Sequence, residues 1–140
     1  MRILLDSNVW LAILTTDGRC RRMWRTARGQ SQIHSSPDIL AEIEEKLRRK
    51  FGFSSRHAHL LTHFARRQTV PIQITGTPPQ VCRDADDDLI LAAAIAARCE
   101  YLVTGDNDLL VLKQFNDVAI VTPGEFSKLV SGGESDGKLA

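Results

Sequence analysis

A chain of 140 residues, 43% of them hydrophobic, can bury one sizeable core and is too short for two ordinary domains. No apolar run approaches the eighteen or so residues of a membrane span, and the three cysteines, Cys20, Cys82 and Cys99, are too few and too widely spaced for a disulfide framework or a zinc ribbon. The net charge of +1 conceals a segregation that decides more than the total does.

Taken in chain order, "RILL" (2–5) is a short apolar run stopped by Asp6, and reads as a strand. The first carboxylate comes too early for a signal peptide, which leads us to expect a cytoplasmic protein with reduced, inert thiols. Trp10, Leu11 and Leu14 follow on a helix as core residues. The arginines 19, 21, 22, 25 and 28 come next, with Trp24 among them as a core, dimer-interface or base-stacking residue. "QIHSS" (32–36) is a second strand. Ser36 and Pro37 then supply an N-cap and a first-turn proline for a helix with apolar Ile39, Leu40, Ile43 and Leu47. Placing that helix at 100° steps sets Glu42 and Glu44 at opposite margins of the apolar stripe and turns Glu45 to solvent; periodicity does not choose between Glu42 and Glu44. "SSRHAHLLTHFARR" (54–67) is a third helix, "VPIQI" (70–74) a strand, and "DDLILAAAIAAR" (87–98) a helix whose alanines let it lie close to a sheet. "YLVT" (101–104) and "VAIVT" (118–122) complete the strands. Alternation of strands and helices predicts a single α/β, doubly wound domain over 1–130 with a mainly parallel sheet. Residues 131–140, "SGGESDGKLA", lack a core and read as a disordered tail.

Between Arg19 and Arg67 twelve Lys and Arg face four acids, a balance of +8, whereas Asp84 to Asp108 holds seven acids against Arg98 alone, a balance of −6. A basic surface beside an acidic pocket suits a polyanion held by one and acted on through cations held by the other. The alternative is two solvated helix faces of different sign.

Ligand sites in open α/β sheets lie outside the carboxyl ends of the strands. Asp6 follows the first strand, Asp106 follows "YLVTG", and Asp84, Asp87 and Asp88 open the Ala-rich helix, so all can reach one edge. Helix-dipole stabilisation accounts for an aspartate or two in the 84–88 run. It is not expected at Asp6 or Asp106, read as strand ends.

The segments "LLDSNVW", "SSPDILAEIEEKL", "RDADDDLILAAAIAA" and "YLVTGDNDLLVL", in this order over residues 1–126, resemble a PIN-domain ribonuclease, in particular the toxins of toxin–antitoxin pairs akin to VapC. The resemblance implies a PIN-like fold, a Mg²⁺- or Mn²⁺-dependent endoribonuclease, an RNA substrate, a cognate antitoxin protein and a homodimer. It carries over Asp6 as the first acid with Asn8 in support, and selects Glu42 over Glu44. Asp87 becomes the third acid, with Asp84 and Asp88 as further metal ligands. Asp106 is the acid of the turn after the fourth strand, supported by Thr104 and Asp108.

Carboxylate oxygens are hard ligands that select Mg²⁺ or Mn²⁺ over zinc. Two carboxylates about 5 Å apart repel by roughly 3 kcal/mol at an effective dielectric of about 20. A metal offsets this, and without one at least one acid should hold a proton near neutral pH. Asp6, Glu42, Asp87 and Asp106 would then be catalytic through an activated water, with Arg19, Arg21, Arg22, Arg25 and Arg28 holding the RNA backbone.

Three other readings compete. Zinc at His59 and His63, four apart on a helix, lacks a third ligand in range. A receiver or phosphatase also gathers aspartates at strand ends. The first wants a lysine at a strand end, however, and the second an aspartate two residues after Asp6, where Asn8 stands. A non-catalytic PIN-like binding module would keep the acids only as a metal or partner site.

Overall fold

The run Arg2–Leu5 forms β1, and Asp6 ends it by capping helix α1 (Ser7–Thr15). Then come α2 (Arg19–Ala27), β2 (Gln32–Ser35), α3 (Pro37–Arg49), α4 (Ser55–Arg67), β3 (Val70–Pro71), α5 (Ala85–Ala96), β4 (Tyr101–Val103), α6 (Asn107–Leu110), β5 (Gln114–Phe115), β6 (Val118–Val121) and α7 (Pro123–Leu139). This computed structural model describes residues 1–139, with side chains through Ser131. The expected tail, 131–140, coincides with the end of α7 and Ala140; beyond Ser131 its side chains lie outside the described residues.

The strands form one sheet in the order β3-β2-β1-β4-β6-β5, flanked by the helices. Every neighbouring pair is parallel except β5 with β6. The register Leu4↔His34 and Leu5↔Val103 puts β1 in the middle, with the chain leaving first toward β2 and later returning on the other side as β4. That reversal is the topological switch point, where a crevice opens at the carboxyl ends of the strands. Ile3, Leu4, Leu5, Leu102 and Val103 are fully buried, as expected of central parallel strands. Among the described residues no helix is long and apolar enough to cross a membrane.

The sequence reading of "VPIQI" as a strand is too long: pairing covers Val70 and Pro71, and the last ladder bond runs from Ile72 N to Ser35 O at 2.7 Å. Proline cannot donate, so this short strand sits at the sheet edge. The second, fourth and last strands each stop one residue earlier than expected, before Ser36, Thr104 and Thr122. The hairpin of β5 and β6 was not expected at all; Asn116 turns it with a φ of 51°.

Trp24 is core, not a base-stacking or exposed interface residue: it is 6% exposed, edge-on to Phe64 at 5.8 Å and tilted against Trp10 at 6.3 Å. Burial pushes the Cys82 and Cys99 thiols up to about 12, consistent with the inert thiols expected.

Candidate metal centre

Asp6 arrives at the end of β1 because its N–H extends the ladder to Val103 O at 3.0 Å. It is 2% exposed. Its Oδ1 accepts from Ser7 N at 2.7 Å, and its Oδ2 accepts from Thr104 Oγ1 at 2.7 Å and from Asn8 Nδ2 at 3.2 Å. Asn8 also accepts from Gly105 N at 3.1 Å, tying the start of α1 to the turn after β4. Burial raises the Asp6 carboxyl above its ordinary range; the bonds from Thr104 and Ser7 pull it back, and the charges of Glu42 and Asp106 push it further up.

Glu42 comes from the middle of α3, which Ser36 caps through a bond from Ile39 N at 3.2 Å. One Glu42 oxygen accepts from Ser7 Oγ at 2.7 Å and the other meets Lys46 Nζ at 3.0 Å. Glu44 points the other way, toward His59 Nδ1 at 3.4 Å on α4. The structure thus makes the choice that periodicity left open. His59 and His63 stack at 6.4 Å, and among the described residues they belong to no group of three potential metal ligands.

Asp84 is the N-cap of α5, its oxygen accepting from Asp86 N at 2.9 Å. Asp106 caps α6 in the same way through Asp108 N, also at 2.9 Å, while Asp106 N donates to Thr104 Oγ1 at 3.0 Å. Asp6 and Asp106 are therefore N-caps of α1 and α6, and helix initiation accounts for part of their placement, contrary to the expectation from the sequence. What sets them apart is convergence, with Asp6 buried and Asp106 half-buried beside it.

Asp6, Glu42, Asp84, Asp87 and Asp106 all line one cleft of about 140 Å³. Carboxylate oxygens of Asp87, Asp106 and Asp108 lie within 4.8 Å of one another. Asp87 is 6% exposed and its carboxyl is pushed up to about 7, first by burial, then by the charge of Asp106, by a hydrogen bond to its side chain, and by the charges of Asp6 and Asp84. Asp88 does not join them. Its Oδ1 accepts from Val81 N at 3.1 Å and Cys82 N at 3.0 Å, which fixes the loop entering α5. Burial works to raise this carboxyl, but the two backbone donors outweigh it and hold it below the ordinary range. As a metal ligand Asp88 is corrected to a loop anchor.

The arginines of α2 do not line the cleft. Arg19, Arg22, Arg25 and Arg28 are exposed, Arg28 lying over the Trp24 ring at 5.0 Å. Arg21 is half-buried and donates from Nε to Ile13 O at 2.9 Å, satisfying the carboxyl end of α1. The sequence reading missed three participants. Ser7 orients Glu42, Lys46 pairs with it, and Arg83 Nη2 reaches Asp108 at 2.6 Å. The i, i+4 spacing of Glu42 and Lys46 was available as a signal; the other two contacts depend on tertiary placement.

The donor set fits a hard divalent cation. The converging acids offer carboxylate oxygens, among the described residues Asp6, Asp87 and Asp106 make no ion pair, and the cleft has room for an ion with its waters. Among the described residues no strand ends in lysine, and Asn8 spends its amide on Asp6 and Gly105, so neither the receiver nor the phosphatase arrangement is present.

Fold and site together define an α/β domain with a carboxylate centre at the switch point of its sheet. The PIN domain family model matches residues 2–108, and the chain belongs to that family. Two solved structures share the fold. One is VapBC2 from Rickettsia felis bound to a DNA fragment from its promoter, with a TM-score of 0.62 and 14% identity over 87% of this chain and 98% of that one. The other is VapC20 from Mycobacterium tuberculosis, a Sarcin-Ricin loop cleaving toxin, with a TM-score of 0.62 and 14% identity over 84% and 98%. No curated protein matches the chain.

Proposed function

We propose that this PIN domain is a divalent-metal-dependent endoribonuclease and the toxin of a toxin–antitoxin pair. The observation that carries the reading is the meeting of Asp6, Glu42, Asp87 and Asp106, from four separate elements, in one cleft where, among the described residues, only Glu42 of the four has a cationic partner. Asp6, Glu42, Asp87 and Asp106 would hold Mg²⁺ or Mn²⁺, with Asp84 and Asp108 within reach. Such an ion lowers the pKa of a bound water and stabilises charge developing on a phosphodiester. The protein's own contribution is positioning. Thr104, Asn8 and Ser7 hold Asp6 in one orientation, and the same Ser7 couples it to Glu42. Exposed Arg19, Arg22, Arg25 and Arg28 would meet the RNA backbone away from the cleft. The fold shared with VapBC2 and with a toxin that cleaves RNA supports an RNA substrate and an antitoxin partner. The reading also includes a homodimer, through the VapC resemblance, a cytoplasmic location, and a nuclease domain over residues 1–130.

The test is incubation of RNA with the protein in Mg²⁺ or Mn²⁺, with and without EDTA, followed by analysis of the ends. Cleavage that stops in EDTA and leaves a 5′-phosphate and a 3′-hydroxyl is expected. Cleavage that persists in EDTA, or a 2′,3′-cyclic phosphate product, contradicts the reading.

A further inference from the structure

An RNA strand cannot approach the cleft on the strength of a central cation alone. The phosphates flanking the one at the centre still face Glu42, Asp84 and Asp108 at its margins, and like charges at such separations repel strongly. The arginines of α2 do not line the cleft. Among the described residues two cations lie within ion-pair distance of these acids: Lys46, at 3.0 Å from Glu42, and Arg83, at 2.6 Å from Asp108. They come from separate margins, one from α3 and the other from the segment entering α5. Both pair with a rim carboxylate, Lys46 with Glu42, which would also face the ion, and Arg83 with Asp108, and neither pairs with Asp6, Asp87 or Asp106.

Exposure makes these pairs exchangeable. The Lys46 side chain is 41% exposed and that of Arg83 86%. An ion pair so open to water is weakly held, so either head can turn to another anion while staying hydrated. Lys46 also lines a second groove of about 270 Å³, where it is the one cation among the carboxylates of Asp38, Glu42, Glu45 and Asp86 and apolar Ile39, Leu89 and Ile90, and which joins the cleft along Glu42, Lys46, Asp86 and Ile90. A strand leaving the cleft by that groove passes Lys46.

We propose that Lys46 and Arg83 are substrate-positioning residues that bind the backbone phosphates on either side of the scissile one, each exchanging its rim carboxylate for a phosphate oxygen. The proposal rests on the nuclease reading above.

The test compares wild type with K46Q, R83Q, the double variant and K46R, each checked for an unchanged melt. Binding of a fluorescein-labelled, mixed-sequence RNA oligonucleotide with an uncleavable backbone is followed by anisotropy at fixed Mn²⁺ over a monovalent salt series, and cleavage of the unmodified RNA in Mn²⁺. Each neutral substitution is expected to weaken binding about three- to tenfold and to flatten the plot of log affinity against log salt by about 0.7, the value for one lost contact on a single strand. The double variant should lose about twice that slope. KM should rise with kcat nearly kept, and K46R should restore both. Wild-type slopes in K46Q, R83Q and the double variant, or a fall in kcat at constant KM, would overturn the proposal. If those variants bind like wild type while wild type cleaves RNA, the positioning role fails and the nuclease reading stands. If wild type neither binds nor cleaves RNA, both fall.

Discussion

Asp87 and Arg22 illustrate how differently the two charged regions of this molecule use their charge. Asp87 is 6% exposed, lies against Asp106 and Asp108, and has its carboxyl pushed up to about 7. Arg22 stands on an exposed face of α2 among other arginines, of which Arg21 is taken up by the end of α1, Arg25 lies 4.0 Å from Asp17 and Arg28 lies on Trp24. In sequence the two regions mirror each other, with balances of −6 and +8. In the fold part of one converges, Asp87 lying buried against Asp106 and Asp108 while Asp84, Asp86 and Glu100 stay exposed and Asp88 turns to the backbone, and the other is a solvated face that costs little. Charge density along a chain therefore does not mark a site; charges forced together out of water do.

The contrast breaks most visibly at the inner acids. Asp6→Asn and Asp106→Asn should each lower kcat for RNA cleavage by about a hundredfold or more, while the melting temperature in metal-free buffer stays level or rises, because one repelling charge has gone. A drop in melting temperature for both, with cleavage only modestly reduced, would mean that these residues serve as helix caps and nothing more.

The pH dependence of the metal-free protein is the next lever. An unfolded aspartate titrates near about 3.9, and folded Asp87 near about 7. Below the first value both states hold the proton and no penalty applies. Between the two the folded state alone keeps it, so stability falls as pH rises, and above about 7 the penalty is complete. Burial of Asp6 acts in the same direction. In EDTA the melting temperature should decline from pH 5 to pH 8, and Asp87→Asn should flatten that decline and stabilise the protein at pH 8 by on the order of 1–2 kcal/mol. In wild type, divalent metal should reverse the loss, adding about 2.7 kcal/mol at a hundredfold excess over its dissociation constant. A flat EDTA profile in wild type would show that the carboxylates are not in each other's field.

Much of this arrangement was legible in the chain. Short apolar runs fixed the parallel strands, and Ser36 with Pro37 located the start of α3. That Asp6, Glu42, Asp87 and Asp106 line one cleft was anticipated by combining strand-end logic with the resemblance. Other features were not legible, for physical reasons. Three of the cluster acids double as helix caps, and a local signal for capping looks the same whether or not the other oxygen faces a metal site. Asp87 and Asp88 are adjacent and chemically identical in sequence; only the fold shows one facing Asp106 and the other the backbone of Val81 and Cys82. The β5–β6 hairpin is two residues wide on one side, too short to show a period.

Smaller effects sharpen the comparison. Asp88→Ala should lower the melting temperature by a few degrees through the freed N–H groups of the loop, with nuclease activity largely kept. On α2, Arg22→Gln with Arg25→Gln should reduce RNA affinity only a few-fold and leave metal-induced stabilisation intact, whereas Arg21→Ala should destabilise the fold by about 1 kcal/mol through the lost carbonyl partners of α1. Loss of metal binding in the Arg22, Arg25 variant would tie the basic helix to the site.

On this reading the converging carboxylates form a divalent-cation site to which Asp87 belongs and Asp88 does not. A calorimetric titration of Mn²⁺ into wild type, Asp87→Asn and Asp88→Asn at pH 7.5 tests it directly. Saturable binding in wild type and Asp88→Asn, weakened tenfold or more in Asp87→Asn, is the expected result; equal affinity in all three, or heavier loss in Asp88→Asn, would contradict it.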